Sequence, residues 1–281
     1  MKVLVTGANG QLGYDVIKRL NALGDEPVGA DREEFDITDD KATEDYITAL
    51  RPDAIVHCAA YTAVDKAEDD RDTCRKVNVD GTRNIALACE KIGAKLVYIS
   101  SDYVFGGSGT QPLEIDAPKD PQNIYGITKL GGEEEAKKCQ KHFIVRTSWV
   151  FGINGGNFVK TMLRLADSHE KLTVVDDQTG SPTYTPDLAR LICDMIKTEK
   201  YGTYHASNEG YCTWAEFAKE IMRQAEKTTK IIPCTTAEYP AKAKRPENSR
   251  LSKKCLDDAG FDRLPPWQDA LARFLKELDL A

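Results

Sequence analysis

Short, almost continuously apolar runs alternate with longer segments of helical periodicity through the first half of the chain. The apolar runs are "KVLVT" (2–6), "PVGA" (27–30), "AIVHCAA" (54–60), "KLVYIS" (95–100) and "FIVRTSWV" (143–150). A strand with one wet face alternates apolar and polar residues. These runs do not, so both faces are expected to be covered, as in a parallel sheet. Helical patterns at roughly 12–23, 39–50, 72–92 and 126–142 separate them. This alternation implies right-handed βαβ units and an α/β fold, a Rossmann-type doubly wound parallel sheet.

Beyond residue 150 the pattern loosens. Residues 158–168 and 185–197 read as helices, and "KLTVV" (171–175) and "GTYHAS" (202–207) as strands. A helix over 213–226 opens on Thr213 with Glu216 three residues on, a capping-box arrangement. A loop rich in Pro, Lys and Arg (240–250) leads to a final helix near 266–279. No repeat or linker-like tract divides the chain. The expected organisation is a Rossmann domain of residues 1–150 and about 184–210, interleaved with a smaller C-terminal α/β domain of about 151–183 and 211–281.

Composition narrows the function. With 45 acidic against 38 basic residues, the net charge of −7 argues against nucleic acid and anionic membrane surfaces as partners. The first apolar run is too short for a signal-peptide core, and no run approaches the roughly 18 residues of a membrane span. Eight cysteines lie far apart without a Cys-x-x-Cys pair and read as reduced thiols. The cytoplasm is the expected compartment.

"VLVTGANGQLG" carries Gly7, Gly10 and Gly13 between the first predicted strand and the first helix, with Gln11 and Leu12 inside the turn. A tight turn, a backbone without Cβ atoms near a pyrophosphate, and a helix N-terminus aimed at it make a dinucleotide site. Asp31 ends the second strand, where an acid bonds the adenosine ribose and favours NAD. Arg32 follows it and would instead hold a 2′-phosphate, favouring NADP. Both remain open. Further cofactor contacts are expected from Asp36 and Ile37, near the adenine, and from Ala59, Ala60 and Tyr61 at another strand end.

"YISSDYVFGG" (98–107) places Ser100, Ser101 and Asp102 at the carboxyl end of the fourth strand, the edge where open α/β sheets bind ligands. Tyr125 and Lys129 stand one helical turn apart at the start of the next helix. A phenol has an ordinary pKa of about 10, and a nearby ammonium lowers it towards useful acid–base range. A strand-end hydroxyl facing a phenol and an ammonium is therefore a candidate catalytic constellation.

The combination of "TGANGQLG", "SSDYVF" and "YGITK" resembles the extended short-chain dehydrogenase/reductases. "AAYTAVDKAE" (59–68), "RTSWVFG" (146–152), "GNFVKTML" (156–163), "VVDDQTGSPTYTPDLA" (174–189) and "RPENSRL" (245–251) resemble one branch, the dTDP-4-dehydrorhamnose reductases, as does Gln11. The resemblance spans nearly the whole chain. It implies NAD(P)H-dependent reduction of the 4-keto group of dTDP-4-dehydro-L-rhamnose, with hydride from NADPH or NADH and a proton from Tyr125. Lys129 would bond the nicotinamide ribose and Ser101, where many relatives carry threonine, the carbonyl. Asp102 and Tyr103 would line the sugar site, and Asn157, Lys160 and Arg245 would hold the diphosphate, a solvated face being the alternative for Lys160. Trp149 would touch sugar or nucleotide, with a core tryptophan as the alternative. Gln178, Gly180, Pro182 and Thr183 would form a substrate-side loop or serve only as structural punctuation.

Some members of that branch bind magnesium at a dimer contact. One acid of that pattern falls near Asp15, which follows Tyr14 here and is not a glutamate, so no metal site is expected. A monomer or homodimer is expected. His57 and His205 read as core histidines, and the run "GGEEEAKK" (131–138) as a solvated helix face. The rival functions are another nucleotide-sugar 4-keto reductase, an epimerase with tightly held NAD, and a non-catalytic regulatory subunit of methionine adenosyltransferase related to this reductase. An intact Ser101, Tyr125 and Lys129 favours an enzyme over the last.

Overall fold

A computed structural model describes residues 1–239 and 241–278. Six parallel strands form its central sheet. They are β1 (Lys2–Thr6), β2 (Glu26–Ala30), β3 (Ala54–His57), β4 (Lys95–Ser101), β5 (His142–Thr147) and a last strand, Gly202–His205. From one edge the order is Gly202–His205, β5, β4, β3, β1, β2. Chain order therefore reverses between β1 and β3, and such a reversal opens a crevice at the carboxyl edge of the sheet.

The continuous apolar character of the strands has a direct cause. Val3, Val5, Val56, Val97 and Phe143 face one core, packed by helix α1 (Gln11–Ala22) and the helix Thr185–Met195. Leu4, Ile55, Leu96 and Ile144 face another, packed by α2 (Asp40–Leu50) and the helix Thr82–Ile92. Burying each such side chain is worth about 1.5–3 kcal/mol. A third core surrounds Phe151, Phe217, Ile221, Leu271 and Phe274, between the helices Phe158–Ala166, Trp214–Gln224 and Trp267–Glu277. The Thr213–Glu216 capping box forms as expected.

Four departures have identifiable causes. The expected helix over 72–92 is broken by a π-helical turn, Lys76–Gly81, whose Asn78 side chain bonds the backbone of Tyr61 and the hydroxyl of Thr128. The expected helix over 126–142 is Ile124–Ala136; Glu90 captures the Gln140 amide and stops it before β5. The expected strand over 143–150 breaks at Trp149, whose φ of 50° is incompatible with a strand. The parallel pair Lys171–Val175 and Lys230–Cys234 has a second strand that Pro233 within it and the polar residues flanking it concealed. Pro240 in the expected 240–250 loop, and the expected reach of the last helix to residue 279, lie outside the described residues.

Glycine lets the helix Ile124–Ala136 sit deep against β4. A Cβ at Gly132 would lie 2.1 Å from the Tyr98 hydroxyl and 2.6 Å from the Asn78 carbonyl. The side chain in the way is buried and the second obstacle is backbone, so neither yields cheaply. Gly132→Ala is expected to destabilise the fold by about 1–3 kcal/mol in chemical denaturation. An unchanged midpoint would show that the helix is free to lift off the strand.

Candidate active site

The glycine turn stands at the chain reversal. Gly7 adopts φ +66°, and a Cβ there would meet the Ala59 amide nitrogen at 2.7 Å. A Cβ at Gly13 would lie 2.2 Å from the Gly7 carbonyl oxygen. Gly10 caps α1 without a side-chain bond, and no acid occupies the first turn. The first amides of α1 are left as donors at its positive end, which fits an anionic pyrophosphate. Gln11 and Leu12 differ in their work. Leu12 is buried in the core, while the Gln11 carbonyl oxygen accepts from the Gly152 amide and the Asn157 side chain, both at 3.1 Å. Gln11 thus ties the turn to the second half of the chain.

Asp31 stands just past β2, where its carboxylate accepts the Asn9 amide at 3.0 Å. The Arg32 guanidinium is exposed and meets Asp36 at 3.4 Å. Thr38 donates to Asp36 through both its amide and its hydroxyl, holding that carboxyl below its usual range. Ile37 packs against Gly81, and its carbonyl accepts the Asn84 side chain at 3.0 Å. Ala59, Ala60 and Tyr61 leave β3 at the same edge, and the Tyr61 amide donates to Asn78 at 2.8 Å.

Ser101 ends β4. Its hydroxyl donates to Asp102 at 2.8 Å and accepts the Tyr103 amide at 3.2 Å. Ser249 donates to the other oxygen of Asp102. Burial drives the Asp102 carboxyl up to about 6, against the pull of these bonds. Tyr103 packs edge-on against Tyr125, with ring centroids 5.4 Å apart. Lys129 is buried with its ammonium 4.3 Å from the centre of the Tyr98 ring, and burial brings its pKa down to about 7.

The phenol departs from expectation. Burial raises the Tyr125 pKa above its ordinary value, and the Ser101 hydroxyl works against that rise. A phenol in this setting stays protonated at neutral pH. It is placed to give a proton away.

Other expected site residues are engaged elsewhere. Arg245 forms a two-pronged ion pair with Asp65, at 3.0 and 2.7 Å. Asn157 caps the helix Phe158–Ala166 and has both amide hydrogens occupied by Gln11 and the Gly152 carbonyl. Lys160 is half-buried and donates to the carbonyls of Ile153 and Gly155. Trp149 stacks on Trp214 at 3.7 Å, with Gly180 closed against its edge. Gln178 donates to Thr236, Thr183 donates to the Ser148 carbonyl, and Pro182 accepts the Asn208 amide. His57 lies buried between the hydroxyls of Thr6 and Thr82, and His205 between Arg146 and the Ser252 carbonyl. Asp15 is buried and takes the Thr185 hydroxyl. Among the described residues, no group of three or more His, Cys, Asp or Glu is placed to hold a metal ion. No described helix is long and apolar enough to cross a membrane.

The acidic run after Lys129 is corrected at one position: Glu134, Lys137 and Lys138 are exposed as expected, but Glu133 is not. Glu133 is fully buried, paired with Arg146 through two bonds of 2.7 Å, and accepts the Ser100 hydroxyl at 2.6 Å. Sequence reasoning missed Glu133, Arg146 and Ser249. A signal existed for the first, since Glu133 continues the Tyr125–Lys129 spacing by one more turn.

The family model described as RmlD substrate binding domain matches residues 1–280. A dTDP-4-dehydrorhamnose reductase of Escherichia coli is 38% identical over 99% of this chain and 98% of its own length. The chain belongs to this reductase family. The spore coat polysaccharide biosynthesis protein SpsK of Bacillus subtilis is 43% identical over 98% of this chain and 97% of that one. The crystal structure of a dTDP-4-dehydrorhamnose reductase from Bacillus anthracis in complex with NADP is 45% identical. It superposes with a TM-score of 0.96, over 98% of this chain and 99% of that one.

Gly13→Ala drives a methyl group into the Gly7 carbonyl and deforms the turn. NADPH binding, followed by its fluorescence, is expected to weaken at least tenfold, the equivalent of about 1.4 kcal/mol. Wild-type affinity would separate the turn from the cofactor.

Proposed function

We propose that the protein reduces the 4-keto group of dTDP-4-dehydro-L-rhamnose to give dTDP-L-rhamnose, using NADPH or NADH. One observation carries the assignment. In a member of this reductase family, Ser101 at the end of β4 faces a helix that presents Tyr125 and Lys129, beside a dinucleotide turn at the chain reversal. The complex of the B. anthracis relative with NADP supports NADPH, and the exposed Arg32 suits a 2′-phosphate. We also propose that the cofactor is held by residues 1–150 with about 184–210, and the sugar nucleotide largely by about 151–183 with 211–281.

Gly7, Gly10, Gly13 and the first amides of α1 would hold the pyrophosphate, with Asp31 and Arg32 at the adenosine end. When bound, the reduced nicotinamide supplies the hydride to C4. Tyr125 donates its phenolic proton to the C4 oxygen as charge develops there, so atoms and charge balance on an alcohol product. Lys129 would bond the nicotinamide ribose and, as an ammonium, offset the charge of the phenolate left behind. Ser101 bonds the carbonyl oxygen. To do so its hydroxyl turns away from Asp102, whose carboxylate keeps the Ser249 bond. Asp102, Tyr103 and Trp149 would border the sugar. Arg245 would reach a diphosphate by leaving Asp65, and Asn157 acts through its hold on Gln11.

Purified protein is expected to oxidise NADPH when given dTDP-4-dehydro-L-rhamnose. Tyr125→Phe is expected to lower kcat by at least about 100-fold while leaving the NADPH dissociation constant within about twofold. Unchanged turnover in that variant would remove Tyr125 from the acid role.

A further inference from the structure

Tyr125, Lys129 and Glu133 recur at four-residue intervals along the helix Ile124–Ala136 and so share one face. The first two point to the proposed chemistry; the third is the most deeply buried acid on that helix. Its carboxylate takes the Ser100 hydroxyl from β4 and the Arg146 guanidinium from β5. Ser100 and Arg146 are register partners in the sheet, and the next pair is Ser101 with Thr147. Arg146 reaches further, to the Ile115 carbonyl at 2.8 Å and to His205 on the edge strand at 3.3 Å. One side chain thus pins the helix to the sheet a single residue below Ser101.

The charge of Glu133 matters as much as its position. The titratable groups around Lys129 are Glu133 from its own helix, His57 at the end of β3, Cys58 just after that strand, Cys74 from the helix Arg71–Arg75, and Tyr98 from β4. Burial keeps the thiols and the Tyr98 phenol protonated, and His57 neutral. Among these groups, only Glu133 brings a full negative charge.

We propose that Glu133 is a positioning residue for the reaction. It sets the depth of the Tyr125–Lys129 face against Ser101 and supplies the charge that keeps Lys129 an ammonium. This rests on the roles given above to Tyr125 and Lys129, but one of its readouts does not need the sugar. Without that charge Lys129 loses its proton more readily, so any property that needs the ammonium fails at lower pH as the pH is raised.

The test compares wild type, Glu133→Gln and Glu133→Asp. NADPH affinity is followed by fluorescence from pH 6 to 10, and kcat is measured with dTDP-4-dehydro-L-rhamnose. In Glu133→Gln the alkaline loss of NADPH affinity is expected to move down by about one pH unit, and kcat to fall at least about tenfold. Glu133→Asp keeps the charge and shortens the reach. Its alkaline limb should stay at the wild-type position while kcat falls at least about tenfold. A folded Glu133→Gln protein with an unmoved limb would overturn the electrostatic role. Should Glu133→Gln not fold, the aspartate variant still decides, because kcat within about twofold of wild type would overturn the positioning role. Wild-type protein that binds NADPH but reduces no sugar would sink the proposed reaction, while the binding limb would still judge Glu133.

Discussion

The buried ion pair between Glu133 and Arg146 is the interaction on which the rest of the site depends. It joins the helix bearing Tyr125 and Lys129 to β4 and β5 at one level of the sheet. Such pairs add little net stability against a well-packed apolar core, because desolvation offsets most of the attraction. Breaking one is a different matter. Removing a single partner leaves an uncompensated buried charge and costs about 3–5 kcal/mol. A pair of this kind therefore fixes a geometry more effectively than it deepens a well. Glycine at position 132 serves the same end, since it lets the helix approach Tyr98 and the Asn78 carbonyl more closely than any side chain would permit.

That close approach governs the electrostatics. Tyr125, Lys129, Asp102 and His57 are all displaced from their ordinary pKa values, and burial is the leading cause in each case. For His57 the consequence is structural, a neutral ring held between two threonine hydroxyls. For the other three it sets protonation states near neutrality. A phenol kept protonated can give up a proton, which reduction of a ketone consumes. Clusters of perturbed groups in a crevice are characteristic of reactive sites.

Much of this is legible in the amino-acid sequence. The sheet is readable because each strand is covered on both faces, so burial leaves its mark on every residue of the run. The glycine turn and the strand-end serine are readable because their chemistry is local. Burial of Glu133 is not, because it depends on Arg146 from another strand, and a run of three glutamates with two lysines looks like a solvated surface. The π-helical turn at Lys76–Gly81 is hidden for a similar reason: Asn78 is drawn in by Tyr61 and Thr128, both distant in sequence. Arg245 and Asn157 carry the right chemistry for phosphate, but tertiary partners claim both. Trp149 breaks a strand that its apolar neighbours predict.

The central claim is that this face of the helix and the end of β4 direct a hydride to C4 of a 4-keto sugar nucleotide. Reaction of dTDP-4-dehydro-L-rhamnose with NADPH deuterated at the transferable position tests it most directly, with the product examined by mass spectrometry and proton NMR. One deuterium at C4 of dTDP-L-rhamnose is the predicted result. Deuterium at another carbon, or an isomerised sugar carrying none, would contradict the account.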